Sequence, residues 1–249
     1  MHVRPLGLLF FLAFLVPLTV VAEPPQDSPD FLFSKPLGAL GFRTGMNFPF
    51  ANSEVFDLVT DQLTLEKGDF RAFSVGGDVA FSVHPQLDIV GSFEYMRSTT
   101  PSEVRDFVDE ADLPILQETQ LSRMPLTAAV KFYPLPRGRS YGSFAWTPAR
   151  ISPYFGGGGG GLYYRFQQQG EFVDFQDLSI FSEDFRSDGW SPIVFGLGGL
   201  EVNLTQRLYI DFQLRYEWAE SDLQSDFQGF DPIDLSGLRA TGGLFVRFD

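Results

Sequence analysis

The chain has 249 residues, 44% of them hydrophobic and 20% charged, with a formal net charge of −14; on bulk numbers it reads as an ordinary acidic domain. The absence of cysteine excludes disulfides, thiolate metal centres and a cysteine nucleophile. The excess of acid excludes nucleic acid as a partner, because a binder must neutralise phosphates with Lys and Arg.

Taken in chain order, the first segment is Met-His-Val-Arg-Pro followed by an apolar run from Leu6 to Val16 and small or β-branched residues up to Ala22. A short basic start, an apolar centre and Val20 and Ala22 at the −3 and −1 positions describe a secretory signal peptide over residues 1–22. The run is shorter than the ~20 residues of a spanning helix, and without cysteine no lipoprotein anchor is possible. Residues 23–36, with Pro24, Pro25, Pro29 and Pro36, read as a loose Pro-rich leader. From residue 37 to 249 the dominant signal is alternation with period two, which predicts strands with two unlike faces.

The clearest strand is the seventh, where Leu208, Ile210, Phe212, Leu214, Tyr216 and Trp218 oppose Tyr209, Asp211, Gln213, Arg215 and Glu217. The first sets Leu40, Phe42, Met46 and Phe48 against Arg43 and Asn47, and the second Phe73, Val75, Val79 and Phe81 against Ser74, Asp78 and Ser82. After a tight turn at His84–Gln86, the third sets Ile89, Phe93 and Tyr95 against Asp88 and Glu94. The fourth places Met124, Leu126, Val130 and Phe132 opposite Arg123, Lys131 and Tyr133. The fifth starts near Tyr154 and runs through the glycines to Leu162, Tyr164 and Phe166, opposite Tyr163 and Arg165. The sixth, Ile193 to Leu204, is more apolar, and the eighth sets Leu238, Leu244, Val246 and Phe248 against Arg239 and Arg247.

Two connections are short, and those over residues 49–69, 99–119, 167–189 and 219–236 are long. Short turns on one side and long loops on the other predict an all-β fold, an eight-stranded antiparallel up-and-down transmembrane β-barrel in an outer membrane. The connection over residues 134–152, with Arg137, Arg139 and Arg150, falls on the short-turn side and reads as a periplasmic excursion. Two features separate this from a soluble sandwich. Charges lie in mid-strand on one face, and aromatics gather at strand ends on the other (Phe48, Phe73, Tyr95, Phe132, Tyr154, Phe166, Trp218, Phe248), as expected for girdles around a lipid-facing band.

The segment Thr241-Gly-Gly-Leu-Phe-Val-Arg-Phe248 resembles the C-terminal assembly signal of outer-membrane proteins, carried by Thr241, Gly243, Val246 and Phe248, with Asp249 as one extra residue. The blocks Met124–Tyr133 and Ser152–Phe166 look like mid-barrel strands of the eight-stranded outer-membrane barrel superfamily of the outer-membrane protein A, protein W and opacity-protein type. The resemblance covers residues 37 to 248. It implies a Gram-negative-type envelope, the barrel-assembly machinery as a partner in biogenesis, outer-membrane lipid or lipopolysaccharide as surroundings, and a monomer. It transfers no binding or catalytic residue.

The run Gly156–Gly161 lacks the Lys-Ser/Thr of a phosphate loop and leads into a strand; it reads as space for neighbouring side chains or as sharp coiling. Of the two histidines, His2 belongs to the signal and His84 to a short turn, so hydrolase chemistry near the long loops has no base. No carboxylate pair is singled out among so many acids. No enzymatic activity and no cofactor are expected. The inward charges number seven basic (Arg43, Arg123, Lys131, Arg165, Arg215, Arg239, Arg247) and six acidic (Asp78, Asp88, Glu94, Glu201, Asp211, Glu217). Near balance in so narrow a barrel predicts a paired lumen network and a plugged interior.

The four long connections hold 22 acids and three bases, a net of −19 against +5 for the rest of the chain. Apolar residues between the acids, as in Asp106-Phe-Val-Asp109 and Phe172-Val-Asp174, point to ordered loops that pack together and extend the strands. Ser53–Leu65 has helical spacing behind Ser53 as cap. None of the loops matches an EF-hand; Asp106, Asp109, Asp112, Asp174 and Asp177 remain candidates for weak divalent-cation binding. The leading functional expectation is a structural or surface-interaction barrel. The alternative is a narrow channel for small, apolar solutes. An apolar inner face near the long loops points to transport and a charged one to a plug; Asn47, Glu217 and Arg239 favour the plug.

Overall fold

A computed structural model describes residues 32, 34–109, 111–141, 145–174 and 179–249, all within one unit, Phe31–Asp249. The signal segment, most of the leader and Asp177 lie outside the described residues. Eight long strands follow one another: β1 Gly38–Pro49, β2 Ala72–His84, β3 Leu87–Val108, β4 Pro114–Phe132, β5 Ile151–Val173, β6 Ile180–Asn203, β7 Leu208–Ser221 and β8 Gly237–Phe248. Each pairs antiparallel with its neighbours in sequence, and β8 pairs with β1 from Gly38↔Phe248 to Pro49↔Gly237. The sheet therefore closes on itself, and over the height that the eight strands share each is paired on both sides. This is the up-and-down barrel that the alternation predicts.

The side-chain pattern explains the closure. Outward positions such as Phe42, Phe93, Leu126, Phe212 and Val246 are about half exposed, while inward Arg43, Asp78, Glu94, Lys131 and Asp211 are buried. Such a pleat puts one chemistry on each face of every strand. The fifth strand corrects the expectation. Leu162, Tyr164 and Phe166 are fully buried and point inward, and Tyr154 is buried with them. Tyr163 and Arg165 lie half-buried on the outer face. Arg165 therefore leaves the lumen set, and Tyr154 and Phe166 leave the girdle.

Strand lengths divide the barrel in two. β1, β2, β7 and β8 have 12 to 14 residues, but β3 to β6 have 19 to 24. A tilted spanning strand needs ~9–11, so β3–β6 rise as a wall beyond the other four at the long-loop end. Much of the second and third long connections is thus strand, and β6 begins thirteen residues before the sequence pattern placed it.

The Gly156–Gly161 run serves coiling. A Cβ on inward Gly158 would lie 2.1 Å from the carbonyl oxygen of Ala128 in β4 and 2.9 Å from the Phe195 ring, whereas one on Gly196 would meet nothing within 4 Å. The backbones of β4 and β5 approach too closely there for any side chain.

The first long connection carries α1, Glu54–Gln62. Ser53 precedes it as N-cap residue but its side chain makes no cap hydrogen bond; the hydroxyl accepts instead from the Asp234 amide at 3.2 Å. At the short-turn end, residues 134–152 fold into a hairpin of Gly138–Tyr141 and Ala145–Pro148. Leu32 of the leader bridges to Trp146 through two backbone hydrogen bonds of 2.8 Å, so at this point the leader is fixed rather than loose.

Candidate functional site

The interior is built in three levels, beginning at the short-turn end. Asp88, at the start of β3, receives the Arg137 guanidinium through both oxygens, at 2.5 and 2.8 Å. The fork geometry makes this a strong, oriented contact. The Tyr133 hydroxyl donates to Glu201 at 2.6 Å and lies 3.2 Å from Asp88. Arg247 lies 3.6 Å from Glu201 and over the Tyr209 ring. Burial and the Arg137 guanidinium hold the Lys35 ammonium below its ordinary value, with Asp88 opposing. These groups leave a cavity of about 20 Å³ among Lys35, Arg137, Trp146, Glu201 and Arg247, room for about one water molecule. Arg137 was missed by sequence reasoning because it sits in a Pro-rich connection, where no alternation marks a facing.

The middle level is ionic. Arg43 contacts Asp78 at 2.8 Å and Asp211 at 2.9 Å, and donates to Thr241 Oγ1 at 2.9 Å. Lys131 reaches the other oxygen of Asp211 at 3.0 Å and lies over the Tyr154 ring; Tyr154 donates to Asp211 at 2.9 Å. Towards the long-loop end, Glu217 gathers Arg123 at 3.5 Å, Arg215 at 3.9 Å and Arg239. Arg239 also meets Glu94 at 2.5 Å, and Arg215 meets it at 3.8 Å. Arg123 donates to Asn47 Oδ1 and to the Leu235 carbonyl, which ties the network to the fourth long connection. Apart from Arg165, the structure brings every charge expected in the lumen to the interior, six of each sign, each in an ion pair. Buried charges persist only when so compensated.

The level at the long-loop end is apolar. Val55, Phe56 and Val59 of α1, with Leu63, Leu65 and Phe70, pack on Leu162, Tyr164 and Phe166 of β5 and on Leu223, Phe227, Ile233 and Leu235. Phe56 meets Phe70 at 4.8 Å and Phe166 at 5.8 Å between ring centroids. The inner face near the long loops is thus apolar, contrary to the expectation drawn from Asn47, Glu217 and Arg239. Those three belong to the ionic level beneath.

The loop acids find specific work. Glu54, Asp69, Asp109, Asp226 and Asp234 accept backbone N–H groups, as in Asp231 N to Glu54, Leu113 N to Asp109 Oδ1 and Asn52 N to Asp234. They hold the connections in place by satisfying amides that loops would otherwise leave open. Asp106 and Asp112 occupy left-handed backbone positions, at φ 61° and 60°, around the β3–β4 tip, and Asp174 donates its amide to Ser179 O beside the β5–β6 tip. Among the described residues no three acids come together as a cation site. In β8, Thr241 and Arg247 face in, Val246 faces out and Phe248 lies half-buried.

No protein-family model and no curated protein matches the chain. Among solved structures it is similar to the outer membrane protein OprG from Pseudomonas aeruginosa, at 14% identity and TM-score 0.48, over 87% of this chain and 99% of that one. It is also similar to Neisserial surface protein A, at 12% identity and TM-score 0.42, over 85% and 96%. The attachment invasion locus protein Ail of Yersinia pestis matches at 15% identity and TM-score 0.43, over 84% and 98%. No residue role and no activity is carried over from any of them.

Proposed function

We propose that this chain is an integral outer-membrane β-barrel of a Gram-negative-type envelope, with a plugged lumen and a rigid acidic crown, acting as a structural or surface-interaction protein. The observation that carries the membrane reading is the outer surface. Phe42, Phe81, Phe93, Leu126, Phe155, Trp190, Phe212 and Leu214 are each at least 50% exposed and lie on all sides of the closed barrel. A water-soluble domain rarely exposes contiguous apolar surface beyond a few hundred Å², and here the belt encircles a barrel whose interior is charged. That inversion suits hydrocarbon outside and ion pairs inside.

The closed lumen is supported by the two filled levels, ionic below and apolar above. A channel for apolar solutes needs an apolar mouth that is empty; here the apolar side chains at the mouth pack on one another. Ordered loops with their carboxylates on backbone amides support a fixed surface for contact at the cell exterior.

Expression with membrane fractionation and a gel run with and without boiling tests the class. The chain is expected in the outer-membrane fraction, with an unboiled band that migrates apart from the boiled one. Recovery in the soluble fraction with a single band would contradict the proposal.

A further inference from the structure

Where the exposed belt meets the long-loop end, the outer face changes character on one flank. Moving outward along β3, Phe93 and Tyr95 give way to Arg97; along β5, Tyr163 gives way to Arg165; before β2, Arg71 stands beyond Phe73. Along β6, Trp190 is followed by Asp188 and Arg186. On the opposite flank, the residue beyond exposed Trp218 is Glu220, and beyond Leu238 it is Ser236. Basic groups therefore collect beside β2–β6 only.

Two of these arginines share one line of the register. Arg97 pairs with Ser122, and Ser122 with Arg165, so their Cα atoms stand about 10 Å apart, two strand spacings. Asp188, the register partner of Arg165 in β6, is already engaged by Tyr163 OH at 2.5 Å and Arg186 Nε at 2.7 Å and makes no contact with the Arg165 guanidinium within 4 Å. Arg97 is held by neutral groups, Gln120 Oε1 at 2.5 Å and Thr99 Oγ1 at 3.1 Å. Arg165 touches Tyr163 OH at 3.5 Å, and its Nε has no hydrogen-bond partner. Among the described residues neither arginine forms an ion pair, although every charge inside the barrel does and the loops above carry a large excess of acid. Arg97 with no carboxylate in contact, and Arg165 facing an Asp188 whose contacts go to Tyr163 and Arg186, are placed for an anion from outside.

We propose that Arg97 and Arg165, flanking Ser122 and Gln120, bind the phosphate groups of an outer-leaflet lipid whose acyl chains lie on the belt below. This rests on the membrane reading and names the partner on that face. Guanidinium forks match phosphate oxygens in pairs. Tyr95, Tyr163 and Trp190, exposed or half-buried just beneath, are the amphipathic rings that settle at the headgroup boundary. Phe93 and Leu126, more than half exposed on the lipid side of the same strands, receive hydrocarbon. The occupant is thus defined at both ends: phosphate above and acyl chain below.

The test follows thermal unfolding of the refolded chain in uncharged detergent micelles while bisphosphorylated lipid A is titrated. Parallel titrations use phosphatidylcholine and inorganic phosphate. The midpoint is expected to rise saturably with lipid A alone. The pair Arg97→Gln and Arg165→Gln should need on the order of tenfold more lipid, and Arg139→Gln, in the hairpin at the opposite end, should titrate as the unaltered chain does. Equal titration by the double variant would overturn the site. An equal rise with inorganic phosphate would overturn a lipid as occupant, and no saturable rise would overturn both. If the double variant fails to fold, either single variant decides between the same outcomes. Absence of any heat-modifiable band from the unaltered chain in micelles would sink the membrane reading itself, by a separate readout.

Discussion

Replacing Glu217 with alanine should lower the unfolding free energy by about 3–5 kcal/mol, the cost of breaking a buried ion pair. Its carboxylate is fully buried and is shared by Arg123, Arg215 and Arg239. Without it, Glu94 alone faces Arg215 and Arg239, and Arg123 keeps only neutral acceptors within hydrogen-bond reach. Uncompensated charge in a dry interior is far more expensive than the loss of any exposed pair. Lys67–Asp57, at 3.1 Å on the crown surface, is the comparison: an exposed pair contributes about 0–1 kcal/mol. Denaturant unfolding of the refolded barrel, read by tryptophan fluorescence and by the heat-modifiable band, measures both variants. Similar small losses for Glu217→Ala and Asp57→Ala would show that the interior is wet enough to screen its charges.

Phe56→Ala is expected to cost a similar ~3–5 kcal/mol, by the different mechanism of a cavity in a packed apolar cluster. Phe56 has no exposed surface and joins α1 to Phe70 and, across the mouth, to Phe166. The loss falls on the crown, whose elements open locally at lower free energy than a closed sheet. Hydrogen exchange should therefore accelerate across residues 53–70 and 219–236, which share this cluster, while the heat-modifiable band of the barrel persists. Unchanged protection in both connections would mean that the segment is held by the hydrogen bonds of Thr64 to Glu103 and of the Ser53 and Glu54 side chains to the fourth connection, and not by the apolar cluster.

Much of the fold was legible because alternation is a strong signal wherever the two faces differ. Leu208–Trp218 is the clearest case: aromatic and branched residues on one side, Asp211, Arg215 and Glu217 on the other. Alternation reports that two faces differ, and not which of them is inside. In β5 the rule that apolar means outward failed, since Leu162, Tyr164 and Phe166 pack under a loop helix that no local pattern reveals. The six glycines preceding them carry no side chains from which the facing could be followed through. Arg165 was misplaced for the same reason. The acid–aromatic texture pointed to strands extended into the second and third connections, but the bounds of the β3–β4 and β5–β6 hairpins were hidden differently. In Gln167–Gln169 the same polar residue stands on both faces, Gln168 buried and Gln169 exposed, so the contrast that marks a strand fades. The charge network was legible residue by residue; its pairings, set by register across strands up to 198 positions apart as in Arg43 and Thr241, were not.

The central claim is a barrel closed twice, by ion pairs and by its own loops. Single-channel recording in planar bilayers after reconstitution of the refolded chain tests it most directly. A baseline without long-lived open levels is expected for the unaltered chain and equally for Phe56→Ala, because the ionic level remains beneath the crown. A steady, ohmic open level in the unaltered chain would contradict it.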